Sequence, residues 1–308
     1  VALAEDPLHR EALLSFLDYY DKYSPNVTDE DPQNLDLAVY NVAQSYSKLG
    51  KTTESNIWYE KMLADFPHSP QAPATFWRMA SNFERVLELN KAVQYYEDLI
   101  TYHPDHDDAM NALYNTAFLR VGLGQFEKAA DTYEKYHDAY TDQDDAKVML
   151  FRAAEMWEAS ENRRQAKRIY ERWLDLYGAD DADRWVETQF KHAGFLRDEG
   201  KTRQADAKLA AISESYGAVK ADLGGIGLKI SASLAFEPLL AEFQAYEAFQ
   251  FPTDVNKPEE LLAAVERKLQ WNNEIKTAMD QFVLDYGDFE WQTAALYYKA
   301  LSYKRHGD

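Results

Sequence analysis

The chain has 308 residues, 46% of them hydrophobic and 14% aromatic, a composition that belongs to folded proteins and excludes a disordered chain. Fifty-three acidic residues against 33 basic ones leave a formal charge of −20, a field that repels nucleic-acid phosphates and anionic lipid surfaces. No run approaches the roughly 18 to 20 apolar residues that span a bilayer, and the lack of cysteine excludes a disulfide framework, a thiolate nucleophile and a thiolate zinc site without deciding between cytoplasm and periplasm.

The sequence opens VALAEDPLHR, with neither an initiator Met nor a signal-peptide apolar segment, so a processed or trimmed start is expected. PLHREALLSFLDYYDKYSP, residues 7–25, reads as one helix, the second of an earlier pair, which places the beginning of the array before Val1. LAVYNVAQSYSKL, residues 37–49, carries apolar residues at three-to-four spacing; Gly50 breaks the pattern and Ser55 to Phe66 resumes it, predicting helix, tight turn and helix. The unit then recurs. Ala43, Ala80, Ala117, Ala154 and Ala193 are spaced by 37, 37, 37 and 39, and Ser55, Ala92, Ala129, Ala166 and Ala205 follow 12 residues behind them. Two further series keep the same register: Tyr59, Tyr96, Tyr133, Tyr170 and Leu209, and Pro67, Pro104, Thr141, Gly178 and Gly217. The small residues let helix backbones approach closely while the aromatics fill the ridges between them.

This register resembles the tetratricopeptide repeat family, whose pattern has small residues in both helices, aromatics at two ridge positions, a Gly between the helices and a Pro at the exit. VAQSYSKLGKTTESNIWYEKMLADFP (42–67) matches with Ala43, Tyr46, Gly50, Tyr59 and Pro67, with Ser55 in place of Ala, and GLGQFEKAADTYEKY (122–136) supplies Gly124, Phe126, Ala129 and Tyr133. The resemblance implies an all-α fold, a right-handed superhelical solenoid of helix-turn-helix repeats. The 37-residue period exceeds the family's usual one by about three residues, a longer form similar to the repeats of bacterial envelope proteins.

In this register TYHPDHDD (101–108), which has the look of a metal site, occupies the same place as DFPHSPQA (65–72) and YTDQDDAK (140–147): the turn between helix pairs. Pro104 is expected to stop the outgoing helix, Asp107 and Asp108 to cap the next one, and Ser69-Pro70 to do the same a repeat earlier. Neither the two histidines nor any other part of the chain forms a calcium loop or a predictable ligand set, so no metal and no cofactor are implied. Five repeats are expected over 36–217, after a partial repeat and linker in 1–35. GGIG, within 221–231, has no following Lys-Ser or Lys-Thr and reads as a hinge, not a phosphate loop. Two long helices, about 228–250 with Pro238 inside and 258–286, make an irregular repeat over 218–287. EWQTAALYYKALSYKRHGD restores the pattern as the first helix of a truncated repeat, 288–308, with Ala300 as its small residue, Tyr303 as its aromatic and Gly307 at the turn. That helix would leave Ala294, Leu296, Tyr297, Ala300, Leu301 and Tyr303 without a second helix on one side, so more chain or a partner is expected there. LDYGDFEWQTAALYYKALSY (284–303) is also similar to a segment of myxobacterial tetratricopeptide proteins, some of them in gliding-motility machinery.

The seven histidines, His9, His68, His103, His106, His137, His192 and His306, are scattered, and neither a Ser-His-Asp set nor a carboxylate pair follows from spacing, so no enzyme is expected. Binding is. The family resemblance assigns the fifth position of each first helix to the concave surface, and here it is aromatic throughout: Tyr40, Trp77, Tyr114, Phe151, Phe190 and Tyr297. These rings are candidates to bind an extended peptide or helix, or else to pack a first helix against the next repeat's first helix. Beside them stands a mixed-charge rim of Lys48, Glu84, Arg85, Glu155, Glu158, Arg197 and Asp198. The expected function is a non-enzymatic protein-interaction scaffold, part of a longer chain or complex in a periplasmic or outer-membrane-associated assembly. The alternative is a soluble peptide-binding adaptor, cytoplasmic or periplasmic. Partners are proteins or peptides with basic patches to complement the −20 charge, not nucleic acid, and no direct membrane span is expected.

Overall fold

The computed structural model describes residues 7–26, 34–254 and 256–307, apart from the side chains of 305–307. His306 and the expectations placed on Val1 and Asp308 lie outside what is described. Among the described residues there is no strand, and every element but a short 3-10 turn at Ser24–Asn26 is an α-helix. In order these are α1 (Pro7–Tyr23), α2 (Leu35–Lys48), α3 (Thr52–Asp65), α4 (Ala72–Arg85), α5 (Leu89–Tyr102), α6 (Ala109–Gly122) and α7 (Phe126–Ala139). There follow α8 (Ala146–Ala159), α9 (Arg163–Tyr177), α10 (Ala182–Asp198), α11 (Thr202–Val219), α12 (Gly225–Glu247), α13 (Pro258–Asp285) and α14 (Phe289–Gly307). The chain divides into two compact units, Val1–Ala166 and Lys167–Asp308.

In the first unit each helix packs on the next, α2 on α3, α4 on α5 and α6 on α7, and each pair touches its successor through α3 with α4, α5 with α6 and α7 with α8. The small-residue columns stand at these crossings. Ala43, Ala80, Ala117 and Ala154 are fully buried, as are Ala92 and Ala129. Ser55 holds the place of an alanine in that column because its hydroxyl has a partner: Oγ donates to the Ala43 carbonyl at 2.8 Å across the closest approach of α2 and α3. The tyrosines of the third series, Tyr59, Tyr96 and Tyr133, are buried to the ring edge.

The turn inside each pair needs one residue in the left-handed region, and the structure places it in the same register every time: Gly50 at φ 72°, Leu87 at 61°, Gly124 at 69° and Glu161 at 61°. The amide after each closes back onto the helix: Lys51 N–H to Tyr46 O, Glu88 to Phe83, Gln125 to Arg120 and Asn162 to Trp157, at 2.9 to 3.0 Å. Leu87 and Glu161 bear a steric penalty there that glycine does not.

The turns between pairs follow Phe66, His103 and Tyr140, as the Pro67 and Pro104 series requires, but they cap differently from expectation. Asp108 precedes α6 in helical conformation, φ −81° and ψ −8°, and its side chain makes no capping bond; a carboxylate reaches the first-turn amides best from an extended cap residue. Its own N–H donates to His106 Nδ1 at 3.2 Å. Ser69 Oγ donates to Asp36 Oδ2 at 2.6 Å and accepts from Gln71 N–H at 3.2 Å, and the proline in the first turn of α4 is Pro73, not Pro70. His103 ties one turn to the previous one, Nε2 lying 2.6 Å from Pro67 O, with its ring beside His68 and Phe76. The stretch TYHPDHDD is thus a turn in which each imidazole already has one nitrogen engaged, His103 with Pro67 O and His106 with the Asp108 N–H.

In the second unit α10 packs on α11 and on α12, and α12, α13 and α14 enclose a separate core of Phe236, Phe243, Tyr246, Ile275, Met279, Phe282 and Ala295. Asn272, buried in α13, joins the three helices by donating to Tyr246 OH at 2.7 Å and to Ser302 O at 3.0 Å. The GGIG stretch is not a hinge. Gly225 opens α12, and Gly227 N–H donates to Asp183 Oδ1 of α10 at 2.8 Å. A Cβ on Gly227 would stand 2.5 Å from that same oxygen, so glycine is what permits the two helices to meet. On α14, Leu296, Tyr297, Ala300 and Tyr303 are exposed, whereas Ala294 and Leu301 pack against the core.

Candidate functional site

The fifth-position rings do not form one ladder. Tyr40, Trp77 and Tyr114 are half-buried, Phe151 is fully buried, and Phe190 and Tyr297 are exposed. A ring that binds a partner has to be reachable, so Phe151 is a packing residue and not a binding one. Its helix is apolar on most sides, with Met149, Leu150, Ala153, Ala154 and Trp157 buried as well, and a helix of that kind is enclosed. Two of the rings pack within their own helix pair instead of first helix on first helix. Tyr40 lies 6.0 Å from Tyr59, and Trp77 meets Tyr96 edge-on at 5.1 Å, so each packs on the tyrosine of its own pair's second helix.

Around Trp77 the contact leaves an open cleft of about 470 Å³ between α3 and α4. Asn56 and Tyr59 form one wall, and Trp77, Arg78, Ser81 and Arg85 the other. Arg78 stands over the Tyr59 ring at 5.2 Å, a cation–π contact. The Tyr59 hydroxyl is buried without a hydrogen-bond partner in the protein, and burial pushes its pKa up against the opposing pull of Arg78. Arg85 Nη2 donates to Asn82 Oδ1 at 2.8 Å, which holds the guanidinium at the edge of the cleft. In a chain of charge −20 this wall is cationic.

The arrangement recurs as a column that the sequence reading did not recognise. Asn115 stands near Tyr96 and Arg152 near Tyr133, each coming from the first helix of the next pair; burial pushes each tyrosine's pKa up, and that neighbour pulls it partly back down. In the second unit Lys191 Nζ donates to Tyr170 OH at 2.9 Å and lies 5.2 Å from its ring. The signal was present: Arg78, Asn115, Arg152 and Lys191 keep the 37, 37, 39 spacing and are all hydrogen-bond donors. Each immediately follows a fifth-position aromatic, Trp77, Tyr114, Phe151 and Phe190 in turn. Of the rim residues, Glu155 stands near Arg152 and Tyr133; burial is the main cause that raises the Tyr133 pKa and Tyr133 the main cause that raises that of Arg152, and Glu155 adds to both. Arg197 is exposed and pairs with Asp206 at 3.4 Å in the second unit. Among the described residues no set of three or more His, Asp or Glu side chains is placed to hold a metal, and no helix is long and apolar enough to cross a membrane.

The family model for the tetratricopeptide repeat matches residues 74–106 and 111–142, most of α4–α5 and of α6–α7, so these two helix pairs are tetratricopeptide repeats. No curated protein matches it. Among solved structures it is similar to a tetratricopeptide repeat protein from Parabacteroides merdae, at 14% identity over 96% of this chain and 98% of that one, with a TM-score of 0.32. It is also similar to BtubC from P. vanneervenii, at 15% identity over 71% and 95% with a TM-score of 0.36. A third is YrrB, described as a TPR protein with an unusual peptide-binding site, at 16% identity over 72% and 96% with a TM-score of 0.34. Repeats of this kind make a protein-interaction scaffold and are typically non-catalytic.

Proposed function

We propose that the chain is a non-enzymatic scaffold that holds an extended segment of a partner protein in the cleft between α3 and α4, with Trp77 as the apolar anchor. The observation that carries this reading is the half-buried Trp77 ring standing beside Arg78 and Arg85 in an open polar cleft. The net charge alone favours a basic partner; the cleft's own lining favours an acidic one, because a charge is read locally once it lies within a Debye length of about 8 Å. Arg78 and Arg85 match carboxylates in geometry as well as in sign. Selection of random peptides on the protein should enrich Asp- and Glu-containing sequences, and Arg78→Glu with Arg85→Glu should abolish that enrichment. No enrichment, or enrichment of basic peptides, would overturn the reading. The 37-residue period and the resemblance of 284–303 support placing this scaffold in a bacterial cell-envelope assembly of the kind that serves motility. Fractionation of cells carrying the complete gene product tests that placement, and recovery from the cytoplasm alone would refute it.

A further inference from the structure

The third pair of the first unit departs from its neighbours in a way that the cleft does not use. Tyr46, Phe83 and Trp157 fill the ridge of their repeats; in the same register, 37 residues apart, stands Arg120. Its side chain is only 14% exposed. One ridge position further, Thr132 replaces Trp58 and Tyr95. An aromatic pair has become an arginine and a threonine, and the missing bulk leaves a pocket of about 270 Å³ among α5, α6 and α7. It shares no residue with the cleft at Trp77.

The polar groups of this pocket are incompletely matched. The Arg120 guanidinium bonds to Glu97 and Thr132 Oγ1, and to Lys128 O at 3.2 Å, but its Nε–H is buried with no partner in the protein. One turn earlier on α6, Thr116 is 1% exposed and its hydroxyl also lacks a partner. Two orphan donors on one helix face call for an acceptor, since a buried donor left unpaired costs about 1–3 kcal/mol. Asp98 on α5 is in the opposite condition: burial raises its pKa, and Gln94 Nε2, at 2.8 Å, supplies it with a single hydrogen bond. A half-buried carboxylate short of donors calls for a donor. Glu97 and Asp98 against Arg120 and Lys135 also make the lining neutral overall, which disfavours a ligand of either sign.

From this geometry we infer that the pocket formed by Glu97, Asp98, Thr116, Arg120, Thr132 and Lys135 binds a primary carboxamide. Its carbonyl oxygen accepts from Arg120 Nε–H and the Thr116 hydroxyl, and its NH₂ group donates to Asp98. A glutamine or asparagine side chain of a partner protein presents this group, and so does free glutamine.

The test follows the Arg120 Nε–H resonance by NMR in the intact chain while blocked single residues are added. N-acetyl-glutamine amide should give a saturable shift with a dissociation constant on the order of millimolar, as suits so small a fragment. Its isostere N-acetyl-glutamic acid amide should bind at least about tenfold more weakly, because it removes the donor that Asp98 needs and adds an unmatched charge. Thr116→Val should abolish the shift. Arg120→Trp should fold, since Trp157 Nε1 donates to Glu134 at 2.7 Å one repeat later just as a tryptophan here would to Glu97, and it should close the pocket and abolish binding. Free L-glutamine binding more tightly than the blocked residue identifies a small molecule as the occupant; the blocked residue binding more tightly identifies a partner side chain. An Arg120 signal that ignores every amide, or that answers glutamate equally, overturns the inference and leaves the orphan donors to water.

Discussion

The pairs of the first unit and the α12–α14 core of the second both bury many aromatic rings, and they do so by different logics. In the pairs each tyrosine sits among small residues beside a donor-bearing residue of the next pair, Arg78 over the Tyr59 ring, Asn115 near Tyr96 and Arg152 near Tyr133, so one contact is repeated with local substitutions. In the α12–α14 core rings pack on rings: Phe236 lies within 5.3 to 5.9 Å of Phe282, Trp291 and Tyr298, and Tyr298 in turn lies 5.1 Å from Phe243. A repeated contact absorbs change one unit at a time. A shared cluster does not, because one ring touches three others.

That contrast is broken most directly at Phe236, which is 1% exposed. Phe236→Ala should cost about 3–5 kcal/mol and melt the second unit while the first keeps its transition, as hydrogen exchange read unit by unit will show; loss of protection throughout the chain would remove the distinction. Ala117→Leu comes next. The small-residue column leaves no room at a fully buried alanine, so overpacking should cost about 1–3 kcal/mol, with exchange quickening in α6 and α7 but not in α12–α14. Leu87→Gly has the opposite sign. Leu87 holds φ 61° with its side chain 80% exposed, so little packing is lost, and relief of the left-handed strain should stabilise by about 1 kcal/mol in denaturant titration.

The smallest effect is a slope with pH that arises at His192 in the second unit. His192 is buried, with Nε2 3.3 Å from Glu171 and Nδ1 unpartnered. Burial holds its pKa below the ordinary imidazole value, assisted by Lys208 and Lys167 and opposed by Glu171 and Glu199. The unfolded chain therefore binds the proton more readily than the folded one. The contribution is fully present above the ordinary value, about 6.5, and is lost as pH falls from there through the depressed folded pKa. His192→Leu should flatten stability against pH in that window; an unchanged slope would assign the dependence to other groups.

The periodic features of this fold were legible in the sequence for a physical reason: a column of small residues spaced by 37 works only if every pair crosses the next at the same place. Helix pairs, the turns at Gly50 and Gly124 and the long α12 and α13 follow from that spacing and from local propensity. The candidate site was half legible. The spacing located Trp77 and Arg85, but no spacing distinguishes the open flank of Trp77 from the enclosed Phe151, because exposure depends on what the rest of each helix carries and on what is packed against it. The same holds for GGIG, whose glycines read alone as freedom and are in fact the clearance for Asp183, 44 residues earlier in the chain. Arg120 is the sharpest case. The sequence shows a broken ridge; that the break encloses two unpaired donors beside a desolvated carboxylate follows only from three helices meeting, since a hydrogen bond left unmade has no sequence of its own.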